Sequence, residues 1–400
     1  MKVVGIICEF NPFHNGHKYL IEKCKEITKS EYVIGIISGN FTQRGEAAII
    51  DKFLRAKTAV ENGMDLVIEY PLPFSISGAE DFAYYAIKIL NNLNICDFLC
   101  FGSESSIDKL ENFYESMMKN EDCFNESIKK HLNSGYSYSN AYFKAFNSLM
   151  SDNLKPEFAS NNILALEYIK ALRKINSNIK PVAVKRTNSY NAERFSTKDI
   201  FQSALSIRED IVNNSKNYEK FIPKTSMGNI DKFKNKFNFF PTMENYFEYI
   251  KYSLIFNEQK IKDIIGYENG LENFLKKNIS TSKNFNEFLK TSTVKRYSKS
   301  RIRRFLINSM LNMTKDKKQK ISKEVLKFIR PLALNRNGAE ILAGLKNDFY
   351  IVNSFSKYEK LSTFKYSVQA EVNSSKLYYM PFSVNYEEIL YKTSPVYKKD

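Results

Sequence analysis

Apolar and polar residues alternate along the first 110 residues in a pattern that predicts strands followed by helices. Short apolar runs are typical of buried parallel strands, and apolar residues spaced three and four positions apart predict helices. The predicted strands are Val3–Cys8, Tyr32–Ile37, Leu66–Glu69 and Phe98–Phe101. The predicted helices are Gly16–Thr28, Lys52–Glu61 and Glu80–Leu90. This alternation predicts an α/β fold with a parallel sheet, and such sheets bind ligands in the loops at the carboxyl ends of their strands.

The second half of the chain has a different pattern. A last strand and helix of the first half are predicted at Pro181–Val184 and Asp199–Val212. Beyond about residue 215 the alternation ends, and apolar residues recur at helical spacing. Because 400 residues exceed one ordinary compact domain, two or three domains are expected, and the change of pattern divides the chain into two. Residues 1–215 form an α/β domain in this prediction, and residues 216–400 form a mainly α-helical domain.

Charge is divided unevenly between these halves. Residues 1–210 contain 25 Lys and Arg against 26 Asp and Glu, whereas residues 211–400 contain 35 against 18. The whole net charge of +16 therefore resides in the second half. A basic region beside a nearly neutral one favours a polyanion such as nucleic acid as its partner. The alternative is a lysine-rich solvated surface, which fits a composition rich in Lys, Asn, Ile and Tyr and free of Trp.

The sequence carries no signal for export or membrane insertion. No stretch of about 18 apolar residues is present, and the N-terminal segment lacks the pattern of a signal peptide. The five cysteines are scattered and odd in number, which fits a reducing cytoplasm. Cys96 and Cys100 approach the spacing of zinc ligands, but the sequence has no second pair of ligands to complete a zinc site. The prediction is therefore that these two cysteines pack in the interior and that the chain holds no metal site.

The strongest chemical signal lies in the loop between the first predicted strand and the first predicted helix. Two of the three histidines, His14 and His17, bracket Gly16 there. Their spacing can direct both imidazoles to one point near a helix N-terminus, where backbone N–H groups and the helix dipole favour a phosphate. Two imidazole donors at that point can stabilise the charge that forms when an α-phosphorus is attacked. The alternative is a pair of packed or solvated histidines.

The element from His14 to His17 resembles the HxGH motif of the nucleotidyltransferase superfamily, which includes adenylyl transferases and class I aminoacyl-tRNA synthetases. The longer string from Gly5 to His17 more closely resembles the bacterial tRNA(Met) cytidine acetate ligase family. Further elements follow in that family's order: SGNFTQRGE at 38–46, GMDLVIE at 63–69, FGSE at 101–104, NNIL at 161–164, KR at 185–186 with Tyr190, SALSIR at 203–208 and KRY at 295–297. The resemblance spans most of the chain and implies a Rossmann-like nucleotidyltransferase domain followed by a mainly helical one.

This resemblance implies an activity that depends on ATP with Mg²⁺. The family activates acetate as acetyl-adenylate and then acetylates the exocyclic amine of the wobble cytidine of elongator tRNA(Met), giving N4-acetylcytidine. The implied catalytic residues are His14 and His17. The implied ATP-binding residues are Ile7, Cys8, Glu9, Phe10, Asn11, Pro12, Phe13, His14, Asn15, Gly16, His17, Lys18, Tyr19, Leu20, Gly102, Asn161, Asn162, Arg186, Ser206 and Arg208.

Residue chemistry agrees with this implied ATP site but leaves an alternative at each position. Gly102 can admit a nucleotide over its bare backbone, or it can simply end a strand. One of the asparagines at 161–162 can bind ribose or adenine, or it can cap the helix that follows. Arg186 can bind a phosphate bidentately or stay exposed. Ser206 and Arg208 can face the β- and γ-phosphates, or they can begin an ordinary amphipathic helix.

The basic half supplies a candidate RNA interface. The predicted tRNA-binding residues are Arg44, Lys295, Arg296, Arg301, Arg303 and Arg304. Such a patch gives salt-sensitive affinity for the phosphate backbone, and the alternative is a solvated helix face. Arg44 is expected to face the same crevice as the histidines, together with Gln43 and Glu46, and to hold either a tRNA phosphate or ATP.

Two other functions share parts of this pattern. A small-molecule adenylyltransferase shares the HxGH element but gives no role to a basic helical half. A non-catalytic nucleotide- or RNA-binding protein with a relic site has no need of the intact histidine pair. The sequence leaves the acetate pocket open, with Phe10, Pro12 and Phe13 as candidates for its apolar side. It leaves the oligomeric state open as well.

Overall fold

Strands and helices alternate through the first 103 residues, as the apolar pattern predicts, and a run of helices then precedes the last strand of the first half. The computed structural model describes residues 2–136, 138–149, 160–186, 202–256, 261–354, 356 and 362–398, so the start of the predicted helix at 199–212 and Tyr190 lie outside the described residues. The strands of this half are β1 (Val3–Cys8), β2 (Tyr32–Ser38), β3 (Leu66–Tyr70), β4 (Phe98–Ser103) and β5 (Lys180–Lys185). The helices are α1 (Asn15–Thr28), α2 (Lys52–Glu61), α3 (Ala79–Asn92), α4 (Ile107–Lys119), α5 (Glu121–Asn133), α6 (Tyr138–Leu149), α7 (Ser160–Lys174) and α8 (Ala204–Val212).

The second half is mainly helical, as predicted. Its helices are α9 (Lys224–Phe237), α10 (Phe247–Phe256), α11 (Leu271–Thr281), α12 (Phe285–Ser292), α13 (Lys299–Met310), α14 (Lys315–Glu324), α15 (Arg336–Leu345), α16 (Lys365–Tyr379) and α17 (Tyr386–Lys392). Four short strands that the sequence pattern did not predict are β6 (Phe328–Ile329), β7 (Pro331–Leu334), β8 (Tyr350–Ile351) and β9 (Val396–Tyr397). An apolar run of two to four residues is too short to indicate a strand by its period.

One mixed sheet organises the molecule, with the strand order β5-β4-β1-β2-β3-β7-β9. The five strands of the first half are parallel to one another, and β7 pairs antiparallel with β3. The α/β class with a Rossmann-like sheet is therefore confirmed, and two strands of the second half extend it. Because β1 lies between β2 and β4, the strand order reverses at β1. A crevice is expected beyond the carboxyl ends of β1 and β4 at such a reversal.

The second half packs directly on the start of β3. The carboxylate of Asp65 accepts hydrogen bonds from the Val33 N–H at 2.8 Å and from the side chains of Asn335 at 2.9 Å and Asn337 at 3.0 Å. Gly338 in α15 lies so close to β3 that an added Cβ would overlap the Asp65 carbonyl oxygen. The sheet thus draws on both predicted domains, and the boundary near residue 215 stays a prediction.

A buried cluster of four ionisable side chains joins β3 to the second half. The Glu69 carboxylate contacts Lys52 and lies 2.6 Å from Nη1 of Arg330, while Glu371 of α16 accepts the Leu72 N–H at 2.7 Å. Burial, together with the neighbouring Glu69 charge, raises the pKa of Glu371 to about 8. Although burial opposes the change, Arg330 and Lys52 lower the pKa of Glu69 to about 2. The cluster therefore holds one carboxylate ionised and the other protonated at neutral pH.

Cys24 of α1 and Cys100 of β4 form a buried disulfide. This bond was not predicted, because the odd number of scattered cysteines fits a reducing compartment and Cys100 was expected only to pack in the interior. Helix α1 packs across β4 and brings the two Cα atoms to 6.1 Å, within the range of a disulfide. Cys96 is a free cysteine, and burial raises the pKa of its thiol to about 12. None of the helices in the described part of the chain combines the length and the hydropathy that a membrane-spanning helix requires.

Candidate active site

A cavity of about 230 Å³ opens where β1 and β4 end. Its position is the reversal point of the sheet, where the strand order predicts a ligand crevice. Many of the predicted ATP-binding residues line it, namely Ile7, Cys8, Glu9, Phe10, Asn11, His14, Gly16, His17, Tyr19, Leu20, Gly102, Asn161, Arg186 and Arg208. The described residues that line it do not include Pro12, Phe13, Asn15, Lys18, Asn162 and Ser206. Among the candidates for an acetate pocket, Phe10 alone reaches this cavity.

The loop after β1 ends in an unusual helix cap made by the two histidines. His14 is the N-cap of α1, and its Nδ1 accepts the Gly16 N–H at 3.1 Å. His17, three residues on, accepts the His14 N–H through its own Nδ1 at 3.2 Å. The two rings stack with centroids 3.7 Å apart, and Phe10 meets the His17 ring edge-on at 4.9 Å. Capping and packing therefore fix both imidazoles in one orientation.

These contacts also set the protonation of the imidazoles. Burial, aided by the positive charges of Arg186 and Arg208, lowers the pKa of His14 to about 3. Burial and the neighbouring His14 lower the pKa of His17 well below its ordinary value. Both rings are therefore neutral at neutral pH. Because each Nδ1 accepts a backbone hydrogen bond, the hydrogen-bond pattern assigns the proton of each ring to Nε2. The site thus presents two neutral Nε2–H donors.

Four cationic side chains line the described part of the cavity, namely Arg44, Lys185, Arg186 and Arg208. The Arg186 side chain lies over Gly102, where an added Cβ would come within 3.4 Å of its Cγ. Its buried Nε has no hydrogen-bond partner in the described part of the chain. Arg208 reaches the loop after β1 and donates from Nη1 to the Asn11 carbonyl oxygen at 2.8 Å. Glu9 lines the same cavity, and burial raises the pKa of its carboxyl.

The asparagine pair at the start of α7 is divided between two tasks. Asn161 lines the cavity and donates to the Glu104 carboxylate at 2.5 Å. Asn162 is buried, and its Oδ1 accepts from the Ser103 hydroxyl at 2.7 Å and from the Glu104 N–H at 3.0 Å. Asn162 therefore shapes the turn after β4, and Asn161 is the member of the pair that faces the cavity.

The start of α8 is similarly divided. Ser203 is the N-cap, accepts the Ser206 N–H at 3.2 Å and lines the cavity. Ser206 is buried and contacts Gln202 at 2.7 Å. Asn15 and Lys18 of α1 also turn away from the cavity, since Asn15 donates to the Lys220 carbonyl at 3.1 Å and Lys18 lies 3.9 Å from Glu22.

Comparisons with known proteins identify the family of the chain. A family model described as HIGH Nucleotidyl Transferase matches residues 1–392. A tRNA(Met) cytidine acetate ligase from Caldicellulosiruptor bescii is 37% identical, with 99% of each chain covered. One from Clostridium tetani is 37% identical, with 94% of this chain and 95% of the relative covered. The chain belongs to the tRNA(Met) cytidine acetate ligase family.

Solved structures of this family have the same fold. The crystal structure of Thermotoga maritima TmcAL in its apo form I matches with a TM-score of 0.89 at 29% identity, over the whole of both chains. A second crystal structure of that protein, bound with alpha-thio ATP, matches with a TM-score of 0.88. The family resemblance that the motifs indicate is therefore confirmed over the full length.

The basic residues predicted to bind tRNA lie in three settings. Lys295 donates to the Ser134 carbonyl at 3.1 Å. Arg296 and Arg301 both pair with Glu268. The other three lie beside the cavity: Arg44 lines it, Arg303 pairs with Glu46, and Arg304 donates to the Gln43 carbonyl at 3.2 Å. Helix α13 therefore approaches the cavity through the loop after β2.

Several lining residues were missed by the sequence analysis as ATP-site candidates. They are Thr42, Glu46, Phe101, Leu164, Ala165, Tyr168, Val184, Lys185, Gln202, Ser203 and Ala204. Seven of these eleven residues lie inside one of the family motifs named above, so those motifs already pointed to them. Tyr168 follows Asn161 by seven positions, which is two helical turns on one face of α7. Within the described residues, no group of three or more His, Cys, Asp or Glu is arranged to hold a metal ion.

Proposed function

We propose that this chain is an ATP-dependent ligase that acetylates the exocyclic amine of the wobble cytidine of elongator tRNA(Met). The observation that carries the proposal is the pair of neutral Nε2–H imidazole donors that line one cavity with two arginines, at the reversal point of the sheet. The full-length identity of 37% to tRNA(Met) cytidine acetate ligases supports the choice of substrate. Because tRNA is a cytoplasmic substrate, the reaction belongs in the cytoplasm.

The first step activates acetate. A carboxylate oxygen of acetate attacks the α-phosphorus of ATP, the bond from that phosphorus to the bridging oxygen breaks, and pyrophosphate leaves with the electron pair. Negative charge grows on the phosphoryl oxygens during this attack. His14 and His17 donate hydrogen bonds to those oxygens, and their fixed rings require no reorganisation as the charge develops. The product is the mixed anhydride acetyl-adenylate.

The two arginines bind the remaining phosphates. Arg208 faces the β- and γ-phosphates from the start of α8, and Arg186 holds a phosphate beside Gly102. A magnesium ion bound with the triphosphate would supply positive charge there, and it would be held chiefly by the substrate and water, because no group of His, Cys, Asp or Glu in the described residues is arranged to hold a metal ion. Asn161 lies on the cavity wall where it can hydrogen-bond the nucleoside.

The second step transfers the acetyl group. The cytidine amine attacks the carbonyl carbon of acetyl-adenylate, the bond to the phosphate oxygen breaks, and AMP leaves. The amine proton passes to solvent. Positioning of the two reactants accounts for most of the rate in this step, because the adenylate is already activated. The basic residues of the second half, from Lys295 to Arg304, bind the tRNA backbone and bring the anticodon loop to the cavity.

Mass spectrometry of tRNA nucleosides tests this proposal. Unmodified elongator tRNA(Met) is incubated with the protein, ATP, Mg²⁺ and isotopically labelled acetate, and the nucleosides are then analysed. Labelled N4-acetylcytidine that disappears with His17→Ala is the expected result. Acetyl-adenylate without acetylated tRNA would contradict the tRNA assignment. ATP binding with neither labelled product would instead favour the small-molecule adenylyltransferase.

A further inference from the structure

Glu46 lies between the two halves of the molecule and contacts an arginine from each. Its Oε1 pairs with Nη1 of Arg303 on α13, and its Oε2 lies 3.3 Å from Nη2 of Arg208 on α8. All three side chains are largely buried, with exposed fractions of 18%, 21% and 14% in that order of Glu46, Arg303 and Arg208. Both oxygens of one carboxylate are therefore engaged, each by a different guanidinium.

The backbone around Glu46 is held as firmly as its side chain. Gly45 has φ +75° and lies against α13, where an added Cβ would come within 2.5 Å of the Arg304 nitrogen. Arg304 donates to the Gln43 carbonyl at 3.2 Å, and the Gln43 N–H donates to the Glu9 carboxylate at 2.6 Å. The loop after β2 thus packs between α13 and the loop that carries the histidines.

Arg208 is oriented by two acceptors, one at each terminal nitrogen of its guanidinium. Nη1 donates to the Asn11 carbonyl and Nη2 to Glu46, so the planar group cannot rotate without losing both contacts. Arg303 fixes the carboxylate that makes the second contact. An unbroken line of contacts therefore runs from α13 through Glu46 to Arg208.

We propose that Glu46 is a positioning residue that aims Arg208 at the ATP triphosphate, and that Arg303 supports it from the basic half. The inference rests on the proposed role of Arg208 toward the β- and γ-phosphates. It gives Arg303 a task in ATP binding beyond the tRNA contact predicted from the sequence. By simple electrostatics, a carboxylate near a polyanion weakens the binding of that polyanion, so removal of the Glu46 charge would tighten ATP binding. The proposed positioning role predicts the opposite effect, that removal of this charge weakens ATP binding.

Titration of the full-length protein with ATP tests the inference without acetate or tRNA. Glu46→Gln should raise the Kd for ATP about 10-fold, and Arg303→Gln should raise it about 5-fold. The double variant should bind ATP as Glu46→Gln does, within about twofold, because Arg303 acts only through the carboxylate. Arg336→Gln, in an exposed pair with Glu340 on α15, is the matched control and should leave the Kd unchanged.

Two results would overturn the inference. Tighter ATP binding by Glu46→Gln would mean that the carboxylate acts only as a repelling charge. If Arg303→Gln lowers the affinity for ATP equally in the wild-type protein and in Glu46→Gln, Arg303 acts through its own charge. Thermal unfolding of each variant shows whether the protein whose Kd has changed is still folded. Failure of the proposed function would appear separately, as wild-type protein that binds ATP but forms no labelled acetylcytidine.

Discussion

At the scale of residues, the two cavity histidines are neutral donors because of where the helix begins. The cap of α1 uses the Nδ1 atoms of His14 and His17 as acceptors, and this leaves the protons on Nε2. Burial keeps both rings uncharged at neutral pH. The same two hydrogen bonds therefore start a helix and set the chemistry of the site. A residue that only caps the helix, such as Asn or Ser, preserves the first task and not the second.

Replacing either histidine tests this assignment. His14→Ala and His17→Ala should each lower the rate of acetyl-adenylate formation by about 100-fold or more, because each removes a donor to the developing phosphoryl charge. Acetate-dependent exchange of pyrophosphate into ATP measures that rate. The third histidine, His131 on α5, supplies the control, and His131→Ala should exchange at the wild-type rate. A near-wild-type exchange rate in either cavity variant would show that the histidines do not have the proposed catalytic role.

Much of the cavity lining could be predicted at this scale, and the differences between the predicted residues and the lining have a common cause. The sequence assigned both Asn161 and Asn162 and placed Ser206 at the phosphates, whereas Asn161 and Ser203 are the ones that line the cavity. Which of two neighbouring helical residues faces a cavity depends on where the helix starts and how it is rotated. Contacts between residues 162 or more positions apart, such as those of Glu46, leave no local pattern at all.

At the scale of elements, helix α15 packs closely against the sheet because Gly338 has no side chain. Gly338→Ala should destabilise the fold by about 3 kcal/mol or more, because its Cβ would overlap the Asp65 carbonyl oxygen. Gly344→Ala in the same helix meets nothing within 4 Å and should stabilise the fold by about 0.5–1 kcal/mol. Denaturant unfolding of the two variants measures both effects. Equal stabilities would mean that α15 packs differently from this arrangement.

The buried charges between β3 and α16 predict a dependence of stability on pH. The pKa of Glu371 is raised to about 8 in the folded state, so the native protein binds a proton that the unfolded chain releases above its ordinary pKa. Stability should therefore fall as pH rises from about 5 to 8, by up to about 1.4 kcal/mol per pH unit. Glu69, whose pKa is lowered, loses its contribution only at more acidic pH.

Glu371→Gln removes this titration. Denaturant unfolding between pH 5 and 9 should show a flatter profile for the variant than for the wild-type protein. The variant should also gain in relative stability as pH rises. Parallel profiles for the two proteins would show that Glu371 does not titrate in this range.

At the scale of the whole molecule, the excess positive charge predicts a strong effect of salt on tRNA affinity. Each phosphate contact contributes about −0.7 to −0.9 to the slope of log K against log salt. Removal of the exposed Lys295 and Arg296 together should weaken tRNA binding about 10-fold at low salt and make the slope shallower by about 1 to 2. Filter binding over a salt series measures this. Arg173→Ala, an exposed arginine paired with Glu111 in the first half, should leave the slope unchanged.

The sequence pattern predicted the main strands and helices of the first half and the mainly helical second half, but it did not predict the short strands. The first four strands and three helices were predicted within a few residues of their bounds, because each has a clear apolar period. β7 and β9 were not, since four and two residues carry no period. β7 pairs with the edge that β3 leaves open in the folded first half, and β9 pairs with β7, so the place of both depends on the fold and not on their own sequence.

The pairing of β3 with β7 also has a consequence for protein synthesis. Asn335, which follows β7, lies 270 positions after Asp65, which precedes β3. At roughly 5–20 residues per second, a ribosome needs on the order of ten to fifty seconds to deliver the partner strand after β3 has emerged. For that time the nascent sheet has an open edge that other chains can join. A fragment ending near residue 215 keeps that edge permanently and should aggregate when it is expressed.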